Sequence, residues 1–382
     1  MTKIDQIESI ILDIPTIRGH VLSMTTMQTQ TAVLVRIRFA DGSEGIGEGT
    51  TIGGLSYGAE SPEGIQSAID TYIAPVLLGR SGDDVNGAIQ LIDRLVKGNR
   101  IAKAAVEIAL WDGLGKRLGV PVSRLFGGAV HDRLPVAWTL ASGNSGTDIA
   151  EAQEMLSTRR HNIFKLKIGK RPVREDVAHV ARIKAAVGDA ASVRVDVNAA
   201  WSLQDARWGL KGLQDAGCEL VEQPVQPRYR KAMAELTSGY EIAMMADEAL
   251  NGPEDALAVA AAKAADVFAI KVAQSGGLKR ASEVIAVGQA AGLGLYGGTM
   301  LETGLGTAAA LQLCATVETL QWGTEFFGPL LLTEDILAEP VRYRDFCVEV
   351  PKKPGIGAVL DPDKIAFFRR GSSRVMKAAA GV

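Results

Sequence analysis

The sequence is poor in the residues on which several common chemistries depend. Its 382 residues include only three cysteines, four histidines and 5% aromatic residues. Cys218, Cys314 and Cys347 lie far apart, without the paired spacing of a zinc site or a disulfide framework. We therefore expect a protein of a reducing compartment, the cytoplasm.

Long apolar runs and a large excess of one charge are also missing. No apolar stretch reaches the roughly 18 to 20 residues needed to span a bilayer. The first residues carry charges where a signal peptide would need an apolar core. With 41 basic and 44 acidic side chains, the formal net charge is −3, which offers no broad basic surface. We therefore expect no membrane and no nucleic acid among the partners.

Familiar catalytic motifs are absent as well, since no G-x-S-x-G, H-E-x-x-H or P-loop pattern occurs. The segment Gly304–Ala309 fits the dinucleotide pattern G-x-G-x-x-A. It comes late in the chain, however, and no first βαβ unit precedes it, so a dinucleotide site is not expected. As the start of a helix, this segment could instead receive a carboxylate.

The first 130 residues or so are typical of an α+β unit, with strands followed by helices. Two alternating, β-branched runs predict strands at Ile4–Ile14 and Thr31–Phe39, and Asp41-Gly42 is a hairpin signal. A glycine-rich loop follows at Thr50–Gly58. The predicted helices are Ser61–Leu78 and Ala102–Leu118.

From about residue 134 the pattern changes and repeats. Short apolar runs alternate with helical, alanine-rich segments, as a β/α barrel requires. An open doubly wound sheet is the alternative, but no switch-point signature supports it. The eight predicted strands are Val136–Leu140, Phe164–Ile168, Val193–Val197, Leu220–Val221, Ile242–Met245, Val267–Val272, Leu293–Tyr296 and Leu320–Trp322.

Charged residues recur where these predicted strands end. In a barrel the carboxyl ends of the strands meet at one mouth, so these side chains should converge there. Each alone would ordinarily be a solvated cap or a surface ion pair, but their recurrence in successive units predicts a functional site. The charged residues are Lys165, Lys167, Asp196, Glu222, Asp247, Glu248, Lys271 and Glu325, and the uncharged Asn198 lies on the same side as Asp196.

The acidic members of this set predict a metal site. Asp196, Glu222 and Asp247 come from three adjacent strands, and three converging carboxylates need a cation. A set of oxygen ligands favours Mg²⁺ or Mn²⁺ over zinc. A lysine beside such a site can move a proton, because burial and neighbouring cations lower its pKa towards working pH.

The histidines do not compete for this role. His20 and His131 lie outside the barrel units, whereas His161 and His179 fall in helix or linker positions. We therefore do not expect a histidine base.

Taken together, the motifs K-x-K, D-x-N, E-Q-P, D-E, I-K and T-E-F-F-G-P resemble the enolase superfamily, in its muconate-lactonizing subgroup. The resemblance runs from about residue 3 to residue 370. The segments that carry it include T-M-Q-T-Q, T-T-I-G-G-L-S-Y-G, A-W-T-L-A-S-G, F-K-L-K-I-G, V-R-V-D-V-N, M-A-D-E, L-Y-G-G-T-M-L-E and L-T-E-D-I-L-A-E-P.

The resemblance implies an α/β fold, a modified TIM barrel of the (β/α)7β type with an N-terminal α+β capping domain. Residues 1–130 would form the cap and residues 131–328 the barrel. Residues 329–370 would return to complete the cap, and residues 371–382 would be a flexible tail. Two cap loops, Arg18–Met24 and Thr51–Tyr57, would close over the substrate.

The resemblance also implies a role for each residue at the mouth. Asp196, Glu222 and Asp247 would hold Mn²⁺ or Mg²⁺. Lys167 would be the acid/base, with Lys165 lowering its pKa, Lys271 on the opposite face of the substrate and Glu325 bound to the substrate carboxylate. The substrate-binding residues would be Ile52, Tyr57, Asn198 and Phe327.

The implied activity is a metal-dependent cycloisomerization, the reversible lactonization of cis,cis-muconate to muconolactone through a metal-stabilised enolate in aromatic catabolism. The alternatives on the same scaffold are a chloromuconate substrate, o-succinylbenzoate synthesis and dipeptide epimerization. The sequence departs from the family pattern at Ala199–Ser202 and at Thr303–Leu305. The resemblance places both segments beside the substrate pocket, so these departures affect the choice of substrate more than the chemistry. The resemblance further implies a homo-oligomer, an octamer.

Overall fold

A long antiparallel sheet forms the core of the N-terminal domain in the computed structural model, which describes residues 2–378. Its first three strands are β1 (Ile4–Val21), β2 (Thr26–Phe39) and β3 (Glu44–Thr50). The two predicted strands are confirmed, but both are longer than predicted. Pairing resumes after a bulge, with His20 opposite Met27, so the first half of the predicted loop Arg18–Met24 is strand.

Helices cover one face of this sheet, and glycines set how closely they approach. A Cβ atom at Gly47 of β3 would lie 2.0 Å from the carbonyl oxygen of Ala105, so only glycine fits against the helix there. The two predicted helices are confirmed, although a π-helical turn at Ile69–Ile73 interrupts the first. The helices are α1 (Pro62–Ala68), α2 (Ala74–Leu77), α3 (Val85–Leu95), α4 (Arg100–Leu118) and α5 (Val122–Leu125).

A parallel barrel follows. After the short strand β4 (Arg133–Pro135), seven strands pair in parallel in chain order. They are β5 (Trp138–Leu140), β6 (Ile163–Lys167), β7 (Ser192–Asp196), β8 (Leu220–Glu222), β9 (Ala243–Ala246), β10 (Val267–Ile270) and β11 (Gly294–Gly297).

In place of an eighth barrel strand, a single residue forms the parallel bridges. Thr324 bridges both Val136 and Gly297 in parallel and thereby closes the ring, in keeping with the (β/α)7β type. The predicted strand Leu320–Trp322 is wrong. Those residues form a turn in which the Gly323 amide donates to the Leu320 carbonyl, and Gly323 has a φ of +67° that favours glycine.

Helices connect the barrel strands and begin at polar caps. The side chains of Asn144, Ser202 and Thr303 each accept a backbone N–H at the start of a helix. Among residues 2–378, no helix has the length and apolarity needed to cross a membrane. The helices are α6 (Ser145–Ser157), α7 (Val173–Val187), α8 (Leu203–Asp215), α9 (Arg230–Gly239), α10 (Pro253–Ala261), α11 (Val272–Ser275), α12 (Leu278–Ala290), α13 (Gly304–Cys314), α14 (Gly328–Leu331) and α15 (Pro362–Phe368).

The segment after the barrel contacts both parts of the molecule. Leu332 and Arg369 form bridges to β1, as a return to the N-terminal domain requires. Its middle differs from that prediction, because the strand β13 (Cys347–Glu349) pairs with β4, and the strand β12 (Tyr343–Arg344) pairs with β13.

The end of the described chain corrects the predicted flexible tail. The strand β14 (Arg374–Lys377) pairs antiparallel with β1, with Lys377 opposite Gln6. The backbone groups of β14 pair with the edge of β1, and the composition of this segment gave no sign of that pairing. Residues 379–382 of the predicted tail lie outside the described residues.

Candidate active site at the barrel mouth

The parallel strands bring the predicted charged residues to the carboxyl ends of the barrel strands, here called the barrel mouth. Lys165 and Lys167 share one face of β6, because side chains two apart on a strand point the same way. Asp196 and Glu222 end β7 and β8, and Asp247 directly follows β9. The remaining two, placed just after strand pairing ends, are Lys271 and Glu325.

Each acidic residue of the predicted metal set pairs with a different lysine. All three carboxylates are at most 1% exposed, so each charge is stabilised by a partner rather than by water. The pairs are Lys165–Glu222 at 2.6 Å, Lys167–Asp196 at 2.5 Å and Lys271–Asp247 at 2.7 Å.

The three carboxylates fit a divalent cation. Asp196, Glu222 and Asp247 each offer an oxygen, and these oxygens lie within 4.8 Å of one another. The Oδ1 atom of Asp247 is buried and has no hydrogen-bond partner among residues 2–378. Hard carboxylate oxygens with a free coordination position are the ligand type that Mg²⁺ and Mn²⁺ prefer. These residues can therefore hold a divalent metal.

Burial and neighbouring charges shift the pKa values of the carboxyl groups at the mouth in different directions. Burial raises the pKa of Glu222 well above its usual value, and the negative charge of Asp196 adds to this effect. Burial opposes ionisation of Asp196 too, but the ammonium groups of Lys167 and Lys165 hold its pKa below the usual value. Desolvation, together with the negative charge of Asp247, raises the pKa of the half-buried Glu248 to about 8. The site thus concentrates negative charge that a cation would relieve.

The two lysines of β6 occupy different depths. Lys165 is 1% exposed and donates to both Glu222 and Glu325. Burial alone would lower the pKa of Lys165, but the two carboxylates raise it above the usual value. Lys167 stands nearer the mouth and lines a cavity there. This cavity, here called the site cavity, is also lined by His20, Ile52, Tyr57, Asn198, Lys271 and Glu325. Of the two, Lys167 is the one within reach of a bound molecule.

The N-terminal domain supplies the upper wall of the cavity. The Tyr57 hydroxyl donates to Asp247 Oδ2 at 2.8 Å and accepts from Lys271 Nζ at 2.8 Å. Ile52, which is 5% exposed, lines the same cavity. Before the Tyr57 turn, Gly53 has a φ of +61°, and a Cβ there would lie 2.8 Å from Thr25 Cγ2. Gly53, in the second predicted loop, therefore lies close to Thr25, which directly follows the first predicted loop.

The predicted substrate residues Asn198 and Phe327 lie at different distances from the cavity. Asn198 lines it, and its amide donates to Asp196 at 3.0 Å and Glu248 at 3.2 Å. Phe327 packs against the rings of Trp138 and His20, with centroid distances of 5.2 and 6.3 Å. Phe327 therefore acts on the cavity through the side chains in front of it.

Sequence reasoning missed His20 as a member of this site. The side chain is fully buried near the end of β1 and lines the cavity together with Lys167, Lys271 and Glu325. His20 lies outside the barrel units, as inferred from the sequence, but the β1–β2 hairpin carries it over the mouth. No local pattern could have revealed this, because the contact depends on docking the hairpin against the barrel.

The glycine-rich segment Gly304–Ala309 receives a protein carboxylate. Glu48 of β3 accepts from the backbone amides of Thr303 at 2.9 Å and Gly306 at 2.8 Å. The prediction that this helix start could receive a carboxylate is confirmed, and Glu48 occupies the position that a dinucleotide phosphate would need.

Two family matches cover most of the chain. Residues 6–127 match the N-terminal domain of the mandelate racemase / muconate lactonizing enzyme family. Residues 148–364 match the enolase C-terminal domain-like family. The division between the two matches falls near β4, where the barrel begins.

Characterised relatives match the chain over nearly its whole length. The chain is 53% identical to "Muconate cycloisomerase 1-2" of Acinetobacter lwoffii over 372 residues, which is 97% of each chain. A chloromuconate cycloisomerase of Pseudomonas sp. is 43% identical over 97% of this chain and 100% of its own. Among solved structures, the muconate lactonizing enzyme of Pseudomonas fluorescens complexed with muconolactone superposes with a TM-score of 0.96 at 53% identity, covering 97% of this chain and 100% of its own.

Proposed function

Since this chain belongs to the enolase superfamily, in the family of mandelate racemase and muconate lactonizing enzyme, we propose that it is an isomerase, a cycloisomerase, that converts cis,cis-muconate reversibly to muconolactone. One observation carries the proposal: three buried carboxylates converge at the mouth, with lysines from β6 and from the end of β10 beside them. That arrangement can stabilise an anion and move a proton at the same place.

The cation site consists of Asp196, Glu222 and Asp247. The oxygen-only ligand set and the unpartnered Oδ1 of Asp247 support Mn²⁺ or Mg²⁺, and the family resemblance favours Mn²⁺. When bound, the cation stabilises the negative charge that develops on the substrate carboxylate beside the protonated carbon.

Lys167 moves the proton. In the forward direction an oxygen of one carboxylate forms a bond to the conjugated diene, and a carbon–carbon double bond is lost. Lys167 then gives a proton to the carbon next to the other carboxylate, and solvent returns a proton to Lys167. Its place at the carboxyl end of β6, lining the cavity, supports this assignment.

The neighbouring charges position the reacting groups. Lys271 faces the substrate from the side opposite Lys167 and stabilises the developing anion. Lys165 holds Glu222 and Glu325 in place through its two ion pairs. Glu325, which also accepts from the Thr139 hydroxyl at 3.2 Å, contacts the substrate carboxylate or its enolate.

Substrate binding uses both domains. Ile52 and Tyr57 contact the substrate from above, Asn198 from the barrel, and Phe327 shapes the wall behind His20. The loops Arg18–Met24 and Thr51–Tyr57 close over the bound molecule and exclude water from the reacting carbons, and the close approach of Gly53 to Thr25 supports this.

One assay tests the activity against its alternatives. With Mn²⁺ added, the enzyme should remove the ultraviolet absorbance of cis,cis-muconate, and it should do so faster than with chloromuconates. The lower identity to the chloromuconate cycloisomerase supports this order. No reaction with muconate, together with turnover of o-succinylbenzoate precursors or dipeptides, would replace the proposal by one of those two activities.

The setting of the enzyme forms a further part of the proposal. Residues 1–130 act as the cap and residues 131–328 carry the site, with residues 329–370 joining both. The three free cysteines, two of them buried, support a reducing cytoplasm. The family resemblance supports a homo-oligomer, an octamer, which light scattering would test.

A further inference from the structure

The polar groups that line the site cavity are almost all paired with other protein groups. Lys167 and Lys271 bind Asp196 and Asp247, and Glu325 binds Lys165. The hydroxyls of Thr299 and Tyr57 are also paired. Within the described chain, the lining atoms without a partner are the side-chain oxygen of Asn198 and both ring nitrogens of His20.

His20 is an unusual residue to leave without partners. Its side chain is fully buried, and a buried polar group without a hydrogen bond costs about 1–3 kcal/mol. A buried polar atom that faces a cavity gains its missing bond when a ligand of complementary chemistry enters. Asn198 offers only an acceptor oxygen, whereas an imidazole also offers an N–H donor.

The proposed substrate needs such a donor. Muconate carries two carboxylates, and only one of them can lie at Asp196, Glu222 and Asp247. The other must lie elsewhere in the same cavity, and an anionic oxygen buried there needs a hydrogen-bond donor. We propose that His20 binds this second carboxylate through a ring N–H and thereby selects dicarboxylates. This inference rests on the proposed function, since it assumes a linear dicarboxylate bound at the mouth.

The surroundings of His20 suit a donor better than an acid or base. Burial lowers the pKa of His20 to about 3, and the charges of Lys167, Arg18 and Lys165 add to this effect. The ring is therefore neutral at working pH, with one donor and one acceptor nitrogen. Phe327 packs against it at 6.3 Å and restrains the ring plane.

His161 provides a matched comparison within the chain. It is equally buried, and it also leaves one ring nitrogen, Nε2, without a partner. Its Nδ1 atom, however, bonds the Val136 carbonyl at 3.0 Å, and its ring stacks on Trp138. His161 is a structural histidine, whereas His20 lines the site cavity and has no partner at either nitrogen within the described chain.

The test compares ligands with one and two carboxylates. Adipate and hexanoate are saturated six-carbon chains that differ by one carboxylate, and their inhibition constants are measured with Mn²⁺ present. In His20→Phe, binding of adipate should weaken roughly ten- to a hundred-fold, the range for a lost hydrogen bond to a charged group. Binding of hexanoate should change less than about two-fold. KM for muconate should rise in this variant, as the inhibition constant of adipate does. His20→Gln, which restores an N–H, should recover part of the loss.

Two controls separate this idea from its alternatives. His161→Phe should lower Tm and leave the ratio of the adipate and hexanoate constants unchanged. Equal weakening of both ligands in His20→Phe would mean that His20 only shapes the cavity, and unchanged adipate binding would overturn the proposal. A wild-type enzyme that binds adipate but does not convert muconate would refute the proposed reaction. The role of His20 would still be decided by the adipate and hexanoate constants.

Discussion

The barrel mouth and the seam between the N-terminal domain and the barrel both bury carboxylates, but they neutralise them by different means. At the mouth, Asp196, Glu222 and Asp247 pair with lysine side chains. At the interdomain seam, which we define by Glu48 and Glu107, the partners are backbone N–H groups at helix starts, and the Thr303 hydroxyl also donates to Glu48.

The seam joins the two domains at two points. Glu48 of β3 bonds the amides of Thr303 and Gly306 where α13 begins. Glu107 of α4 bonds the amides of Leu278 and Lys279 where α12 begins. Burial raises the pKa of each glutamate to about 7. Helix N-termini favour such anions through their unpaired N–H groups and the helix dipole.

The two kinds of partner suit two different roles, catalysis at the mouth and stability at the seam. An ion pair between side chains can change partners, so the carboxylates of the mouth can turn from lysine to a cation or release a lysine to a substrate. Backbone amides at a helix start are fixed, so the seam holds its carboxylates in one geometry. Substitutions at the mouth should therefore remove activity, and substitutions at the seam should remove stability.

The largest effect is expected for Glu222→Gln at the mouth. Losing one anionic ligand should abolish turnover, and it should also remove the rise in Tm that Mn²⁺ produces by binding the folded state. Calorimetric titration and thermal unfolding measure both. Glu219→Gln, at an exposed position on the amino side of β8, is the matched control and should retain both properties. Full activity after exhaustive chelation would show that no metal is needed.

Lys167→Ala should have the next largest effect. Loss of a positioned acid/base should slow cyclisation by roughly a hundred- to ten-thousand-fold. It should equally slow the exchange of the muconolactone α-proton with deuterated solvent, which NMR follows. Lys170→Ala, exposed on the following turn, should exchange normally. Normal exchange in Lys167→Ala with none in Lys271→Ala would reverse the assignment of the two lysines.

The same contrast explains what could be predicted from the sequence. Residues of the mouth were found because a barrel repeats, so charges at successive strand ends stand in register. The strand that ends at Val21 was predicted to stop at Ile14, because its last residues have neither alternation nor a turn signal. Glu48 and Glu107 were not found at all, since an acid within a strand or helix has no local sign of the helix start it will meet. His20 was missed because its place in the site depends on the docking of the β1–β2 hairpin against the barrel.

At the seam, Glu107→Ala should cost stability and spare catalysis. It leaves the buried amide of Leu278 and the part-buried amide of Lys279 without these acceptors, so the free energy of unfolding should fall by about 1–3 kcal/mol. Denaturant unfolding measures this, and kcat/KM should stay within about two-fold. Glu283→Ala is the control on α12, the helix whose start Glu107 binds, because Glu283 forms a surface ion pair with Lys279 at 3.8 Å. A hundred-fold loss of activity in Glu107→Ala would mean that seam and mouth are not separable.

The smallest effect is a pH dependence that belongs to the seam. The pKa values of Glu48 and Glu107 are raised from 4.5 to about 7 in the folded protein. The folded state therefore binds protons more tightly than the unfolded chain. Their contribution to stability is complete below pH 4.5 and is lost as pH rises through about 7. The double variant Glu48→Gln/Glu107→Gln cannot ionise there, so its stability should fall less than that of the wild type between pH 5 and 8. Parallel stability curves for the two proteins over that interval would show that the seam glutamates are ionised throughout and that the backbone amides fully compensate their burial.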